Sequence, residues 1–353
     1  MSPETVPLND AVEMIVEPVL VPEGQCEHVL ALHLDPRPDC PFGVLRCIVS
    51  REGDVAVHGY IDRSLLLVVD MHSKLHLRPT GTLQLYDPDE VFSALTSGHQ
   101  FDCLGFEDPI IWYDDERETV HLYFTIPIRR THTDRMVMHL GHAYGPDIYS
   151  LRMTEPVLSP VPSVHGGAKE VTVAPINSDG VRRNLVESND TMDGESFSVV
   201  RSTIVRSMGD RWEYDEIVLH PAMDGYEWCA KHVSPGPFFP REFLDVGENR
   251  LVGLLNGRET DRSEGDRLKH GTFSIGLMIY NYETGEVEWI SKRPFIVDPD
   301  ARTITFASDF LYEGGENGIV YAHVDDSYIR AYSVDAQKLR DHLPVSIADQ
   351  PSG

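Results

Sequence analysis

Gly105-Phe106-Glu107-Asp108-Pro109-Ile110-Ile111-Trp112-Tyr113, an acidic break at 114–118, and Val120-His121-Leu122-Tyr123-Phe124 read as two short strands joined by a turn. The same pattern recurs outward in both directions, with apolar runs at 65–69, 251–255, 274–280, 287–290, 318–324 and 328–334. Glu283-Thr284-Gly285-Glu286 and Glu313-Gly314-Gly315-Glu316 are hairpin-type connectors between such runs. Helical spacing persists only near 89–96 and 334–339. Repeated short strands with Gly- and Asp-rich turns imply an all-β fold. They run from about residue 40 to residue 334 with no Ser/Gly/Pro linker, which favours one closed propeller domain over a smaller sandwich. Units of roughly 60 residues come close to known four-stranded blade repeats, and composition alone leaves their number open.

The 353 residues carry 30 Lys+Arg against 57 Asp+Glu, a formal charge of −27, with 41% hydrophobic residues. That length supplies a core without help from disulfides or metals. The charge argues against nucleic acid or an anionic membrane as partner, since both need clustered Lys and Arg. The apolar content argues against global disorder. Cys26, Cys40, Cys47, Cys103 and Cys229 form no CxxC pair, and their odd number suggests reduced thiols in a cytoplasmic protein. The first twenty residues lack a basic, unbroken apolar leader, and no window reaches 18 uncharged apolar residues. Residues 1–25, with four prolines, read as an extension or strap, 26–343 as a single domain, and 344–353 as a tail expected to be disordered.

In Glu107-Asp108-Pro109, proline biases the residue before it toward an extended conformation and so fixes the direction of the Asp108 side chain. The wider Gly-x-Glu-Asp-Pro, strand, acidic turn and Leu122-Tyr123-Phe124-Thr125 resemble glycoside hydrolase family 130, the β-mannoside phosphorylases and mannosidases. Four further segments follow in that family's order. They are Ala143-Tyr144-Gly145-Pro146-Asp147, Lys169-Glu170-Val171-Thr172-Val173-Ala174-Pro175, the stretch from Trp228 through Lys231 to Gly236-Pro237, and 320–329 with Asp325-Asp326. The resemblance implies a five-bladed β-propeller with its site on the central axis. It implies a proton-donating role for Asp108 toward the leaving oxygen, and a place on the pocket floor for Asp326, with Asp325 competing for that register.

Glycoside cleavage needs an acid for the leaving oxygen and an attacking group at the anomeric carbon. Strand alternation points Glu107 away from Asp108, as a structural acceptor. Lys231 is a candidate donor to a sugar oxygen, and Arg46, Lys169, Asn256 and Phe238 complete the candidate substrate-binding set with Asp326 and Glu107. The three segments that hold phosphate in the family's phosphorylases correspond here to Val186-Glu187-Ser188, Leu255-Asn256-Gly257 and Phe273-Ser274-Ile275-Gly276, without their basic residues. A carboxylate at Glu187 repels phosphate and suits a base acting on water. Glu187 is therefore the first candidate base, with Glu227 and then Glu259 behind it. Arg258, Arg182 and Arg183 lie close enough in sequence to rebuild an anion site. Trp112, Trp228, Phe238 and Phe239 are candidate sugar-stacking rings, with core packing as the alternative.

His139 and His142, three apart in a strand, fall on opposite faces, so no metal is expected. His165-Gly166-Gly167 is a candidate substrate loop, Arg129-Arg130 reads as a solvated turn, and 261–269 reads as an exposed lid or oligomer contact. The expected function is an inverting glycosidase acting on β-mannoside-like oligosaccharides, without cofactor. The alternatives are a phosphorylase with a relocated phosphate site and a non-catalytic propeller that binds glycans. The expected partner is an oligosaccharide, and a homo-oligomer remains open.

Overall fold

Ile110 to Tyr113 lie in strand Glu107–Asp114, which pairs antiparallel with Thr119–Arg130 so that Ile111 faces Leu122 and Trp112 faces His121. The acidic break is their turn, in which Asp114 Oδ1 accepts the N–H groups of Glu116 and Arg117. The computed structural model describes residues 3–344 apart from 39, 58, 97–100, 131–134, 165 and 266. His165 and the tail beyond 344 lie outside the described residues.

Around this hairpin the chain is nearly all β. Successive antiparallel groups of four strands run His28–Leu34 to His76–Thr82, Glu107–Asp114 to Arg152–Met153, Ala168–Thr172 to Glu213–Leu219, and His232–Phe238 to Glu286–Ile290. The last group is Thr305–Gly314, Asn317–Val324 and Tyr328–Asp335, completed by Val12–Ile15 from the other end of the chain. The third and fourth groups are joined by one parallel pairing, Ser198 with His232. The first strands of the groups touch in cyclic order, each against the next and Thr305–Gly314 back against His28–Leu34.

Apolar clusters fill the space between neighbours. Val44, Leu66 and Val68 meet Ile111, Leu122 and Phe124 between the first two groups. Ile319, Tyr321 and Ile329 meet Val29, Leu45 and Val69 between the last and the first. Equivalent clusters separate the second from the third, the third from the fourth and the fourth from the fifth. Sheet faces that are apolar on both sides can be buried only by a sheet on each side. Among the described residues the α-helices are Pro88–Thr96 and Ala336–Leu339, where helical spacing was read.

Two expectations need correction. Cys26, in the loop before His28–Leu34, and Cys47, in strand Phe42–Glu52, are joined in a disulfide, leaving Cys40, Cys103 and Cys229 as thiols, so an odd count concealed one pair. The thiol argument for a reducing compartment falls with it. Arg129 is no turn residue, because it lies in strand Thr119–Arg130 and its guanidinium bonds Asp102 at 3.0 Å.

Candidate active site

Every first strand breaks register, at Leu30/His33, Glu107/Ile110, Lys169/Val171, Pro235/Phe238 and Ala307/Asp309, the last strand again at Tyr312/Gly314. A bulge bends its strand and re-aims a side chain. In three of them the bulged residue is left-handed: Ala31 at φ 49°, Asp108 at φ 50° and Glu170 at φ 47°. The consequence overturns simple alternation at Glu107-Asp108. Both carboxylates turn to one guanidinium, Arg46 donating from Nη2 to Glu107 at 2.7 Å and from Nη1 to Asp108 at 2.8 Å. Arg46 Nε also donates to Ser64 Oγ at 3.0 Å. Gly105, at φ 108°, presses its backbone on that of Ser64, where any Cβ would collide with the carbonyl oxygen. This close approach brings the Glu-Asp-Pro segment against the neighbouring group.

A cavity of about 180 Å³ opens at the N-terminal ends of the first strands, with side chains from all five groups. Asp108, Glu170 and Asp326 supply its acids, and Arg46, Lys169, His232, Arg258, His270 and His323 its basic groups. Phe273, Ile304 and Phe306 give it an apolar wall. Two excursions meet beside it: Val57 bridges Lys269, and His270 N–H donates to Ala56 O. The segment at 261–269 is therefore tied to the neighbouring excursion and is not a free lid. A second cavity, of about 270 Å³, occupies the C-terminal halves of the same strands, and Glu170 lines both.

Burial dominates the electrostatics. It raises Glu170 well above the ordinary carboxylate range, and the nearby charge of Asp108 adds to it while Lys169 opposes. Glu107 is pushed up to about 7 by burial despite Arg46, with Asp108 again adding. Burial would lift Glu187 too, but His232 and Lys169 outweigh it and hold that carboxyl at about 2. Asp326 also lies below its ordinary value: burial raises it, but the contact with His323, 3.2 Å away, wins. Burial and the neighbouring charge of Asp108 together favour the neutral, proton-bearing form of Glu170.

The structure separates the sequence candidates. Asp108, Asp326, Arg46 and Lys169 line the cavity, and Glu107 sits directly behind them on Arg46. The Asp325/Asp326 ambiguity resolves by hydrogen bonding: Asp325 accepts the backbone N–H groups of Arg302, Thr303 and Ile304, while Asp326 faces the cavity. Glu187 is 2% exposed, wedged between Lys169 at 3.4 Å and His232 at 3.1 Å. Glu227 is exposed on the short turn Glu227–Cys229, away from the cavity. Glu259 is engaged with Arg262. Lys231 pairs with Glu195 at 3.1 Å and covers the Phe197 ring. Asn256 is fully buried, donating to Ala307 O and accepting Ala307 N–H, which fastens the fourth group to the fifth.

The aromatic candidates lie elsewhere. Trp228 is core, its Nε1 donating to Ser291 O and its indole packed over Gly257 and Gly276. Phe239 is buried, Phe238 stacks on Tyr280 at 5.5 Å, and Trp112 carries the Arg182 guanidinium on its face. Arg183 pairs with Asp215, so of the three arginines only Arg258 reaches the cavity, held by Asp261. His142 bonds His121 and Thr154 inside the second group. The residues that sequence reading passed over are Glu170 and His232. For Glu170 composition gives no signal, because Lys169-Glu170-Val171 reads as ordinary strand alternation.

No family model matches the chain, and no curated protein matches it. Solved structures do share the fold. The β-1,2-mannobiose phosphorylase from Listeria innocua, complexed with β-1,2-mannobiose, matches at 12% identity over 96% of this chain and 94% of that one, with a TM-score of 0.59. A mannose phosphorylase from Leishmania mexicana, in complex with phosphate ion, matches at 12% over 92% and 89%, with a TM-score of 0.55. The catalytic domain of the Coprinopsis cinerea GH62 α-L-arabinofuranosidase matches at 9% over 90% and 95%, with a TM-score of 0.52. The fold is thus one found in carbohydrate-active enzymes.

Proposed function

We propose that the chain is a divergent member of glycoside hydrolase family 130, a single five-bladed β-propeller over residues 26–343 that hydrolyses β-mannoside-like oligosaccharides with inversion. The cyclic order of first strands and the apolar clusters between neighbouring groups support the blade count. The N-terminal strand on the last group supports the strap at residues 1–25. The observation that carries the function is the Asp108–Glu170 pair, two acids on bulged strands lining one cavity, with Glu170 raised by burial and by Asp108 so that it can hold a proton. A terminal sugar enters the cavity, its hydroxyls held by Asp326, Arg46 and Lys169. The pair gives its proton to the glycosidic oxygen as the bond to the anomeric carbon breaks, and water attacks the opposite face.

Water is favoured over phosphate because the cavity's strong cations are already neutralised. Arg46 is held by Glu107 and Asp108, Lys169 by Glu187 and Arg258 by Asp261. A phosphate dianion would have to displace buried carboxylates that hold these groups. The convergence of Lys169, His232 and Arg258 on one cavity favours phosphorolysis as the second reading. Incubation with β-mannobioses, with and without inorganic phosphate, separates the two. Free mannose at an equal rate in both supports hydrolysis, and mannose 1-phosphate formed only with phosphate refutes it.

A further inference from the structure

Glu187 and His232 meet beside the cavity, outside the proton transfer assigned to Asp108 and Glu170. His232 opens the fourth group's first strand, opposite Arg258 and edge-on to Phe273 at 4.8 Å. Glu187 lies on the strand Arg182–Met192, opposite Lys169. Its Oε2 lies 3.1 Å from His232 Nε2, and Lys169 Nζ stands 3.4 Å from the other oxygen. Each carboxylate oxygen thus has a basic group within 3.4 Å, and Glu187, 2% exposed, does not itself line the cavity. His232 does line it. With Nε2 turned to Glu187, Nδ1 is the ring nitrogen left for a molecule in the cavity.

We propose that His232 is the base that deprotonates the attacking water and that Glu187 is its positioning residue; this rests on the hydrolytic reading above. The carboxylate 3.1 Å from Nε2 favours the tautomer with the proton on that nitrogen, which leaves the Nδ1 lone pair for water. One water O–H bond breaks, its proton passes to Nδ1 and its oxygen bonds the anomeric carbon. The pair of electrons in the glycosidic bond leaves with the sugar oxygen, which takes the proton of the Asp108–Glu170 pair. The imidazolium formed is stabilised by Glu187; loss of its proton to solvent restores the base, and uptake of one proton from solvent by the Asp108–Glu170 pair restores the acid. The charged groups facing His232 are Glu187, Lys169 and Arg258, with Asp261 and His270 behind Arg258. Burial lowers His232 below its ordinary value and Glu187 opposes that, so the imidazole is neutral and ready at neutral pH.

The test uses the full chain and dinitrophenyl glycosides of several sugars, β-mannoside included, whose leaving group needs no acid. For His232→Gln, kcat falls by about 10²–10⁴-fold and the acid limb of the pH profile below 6.5 disappears. Glu187→Gln lowers kcat with KM unchanged and displaces the same limb, and Glu187→Asp recovers part of the rate. Asp108→Asn and Glu170→Gln lose at least about tenfold less on these substrates than on unactivated oligosaccharides, whereas His232→Gln loses as much on both, which tells loss of the base from loss of the acid. If His232→Gln does not fold, His232→Ala with added imidazole gives the same readout, and rescue supports the assignment. Wild-type kcat with an intact acid limb in the His232 and Glu187 variants overturns it while the hydrolytic reading stands. Turnover that requires inorganic phosphate overturns both, with His232 then a phosphate donor.

Discussion

Replacing Arg46 with methionine removes one guanidinium from beneath three carboxylates while keeping the volume of its stem. Arg46 bonds Glu107 and Asp108 at 2.7 and 2.8 Å and stands 3.9 Å from Asp62, all of them buried. Breaking a buried ion pair from one side costs about 3–5 kcal/mol, because the partner charges stay behind. The pH dependence is the sharper test. Glu107 sits at about 7 in the folded chain against an ordinary 4.5, so its proton stabilises the fold below pH 4.5. That contribution drains away as pH rises through 7, for a total of about 3 kcal/mol in the wild type. Without Arg46 the folded-state value climbs further, and the drain continues above pH 7. The variant's deficit therefore grows by up to about 1.4 kcal/mol per pH unit between pH 7 and 8.5, where the wild-type contribution has levelled off. Equilibrium urea unfolding at pH 6, 7 and 8.5, followed by two spectroscopic probes, measures it. A deficit below about 1 kcal/mol at pH 7, or one that stays flat up to pH 8.5, refutes the electrostatic account of the floor.

Three further outcomes follow from the geometry. On unactivated oligosaccharides Asp108→Asn and Glu170→Gln each lose about 10²–10⁴-fold in kcat, and a difference of less than tenfold between their losses on natural and dinitrophenyl substrates would remove the acid role. Cys26→Ser with Cys47→Ser opens a crosslink with a sequence separation of 21 and lowers stability by about 3 kcal/mol on the loop-entropy model; a denaturation midpoint unchanged by substitution or by reductant would contradict it. Asn256→Ala leaves both polar groups of the Ala307 peptide unpaired at about 1–3 kcal/mol each, lowering the unfolding midpoint, whereas exposed Glu227→Gln changes neither stability nor kcat beyond about twofold.

The fold was legible because strands buried between neighbouring sheets announce themselves as short apolar runs cut by Gly and Asp, and the hairpin at Glu107–Arg130 is such a case. Asp108 was legible from the Glu-Asp-Pro segment, but the extended backbone expected before proline was not found, since the bulge turns Asp108 left-handed at φ 50°. Glu170 was not legible, since Lys-Glu-Val reads as ordinary alternation and a bulge leaves no compositional mark. Glu187 was found, but the register that sets Lys169 across from it and the bridge that brings His232 alongside are products of tertiary pairing. Trp228 looked like a sugar platform until two glycines from distant strands, Gly257 and Gly276, made room for its indole in the core.

Backbone strain at a site is often taken as a sign of function, and here it misleads if used alone. A left-handed non-glycine residue costs on the order of 1 kcal/mol, and Asp108 and Glu170 both bear that cost. So does Ala31, whose methyl offers no chemistry. The register break recurs in all five first strands, with or without a left-handed residue, so it belongs to the way those strands pack around one another. What distinguishes the second and third groups is the side chain placed at the bulge. Two bulges in neighbouring groups place acids at the cavity, near enough for one to raise the other. The functional reading therefore rests on the identity of those residues and on the proton that Glu170 can hold, and Ala31→Asp is its natural counter-experiment. A third carboxyl at the equivalent bulge would raise Glu170 further, moving the basic limb of kcat/KM to higher pH, whereas an unmoved limb would mean that the bulged side chains do not face one another across the cavity.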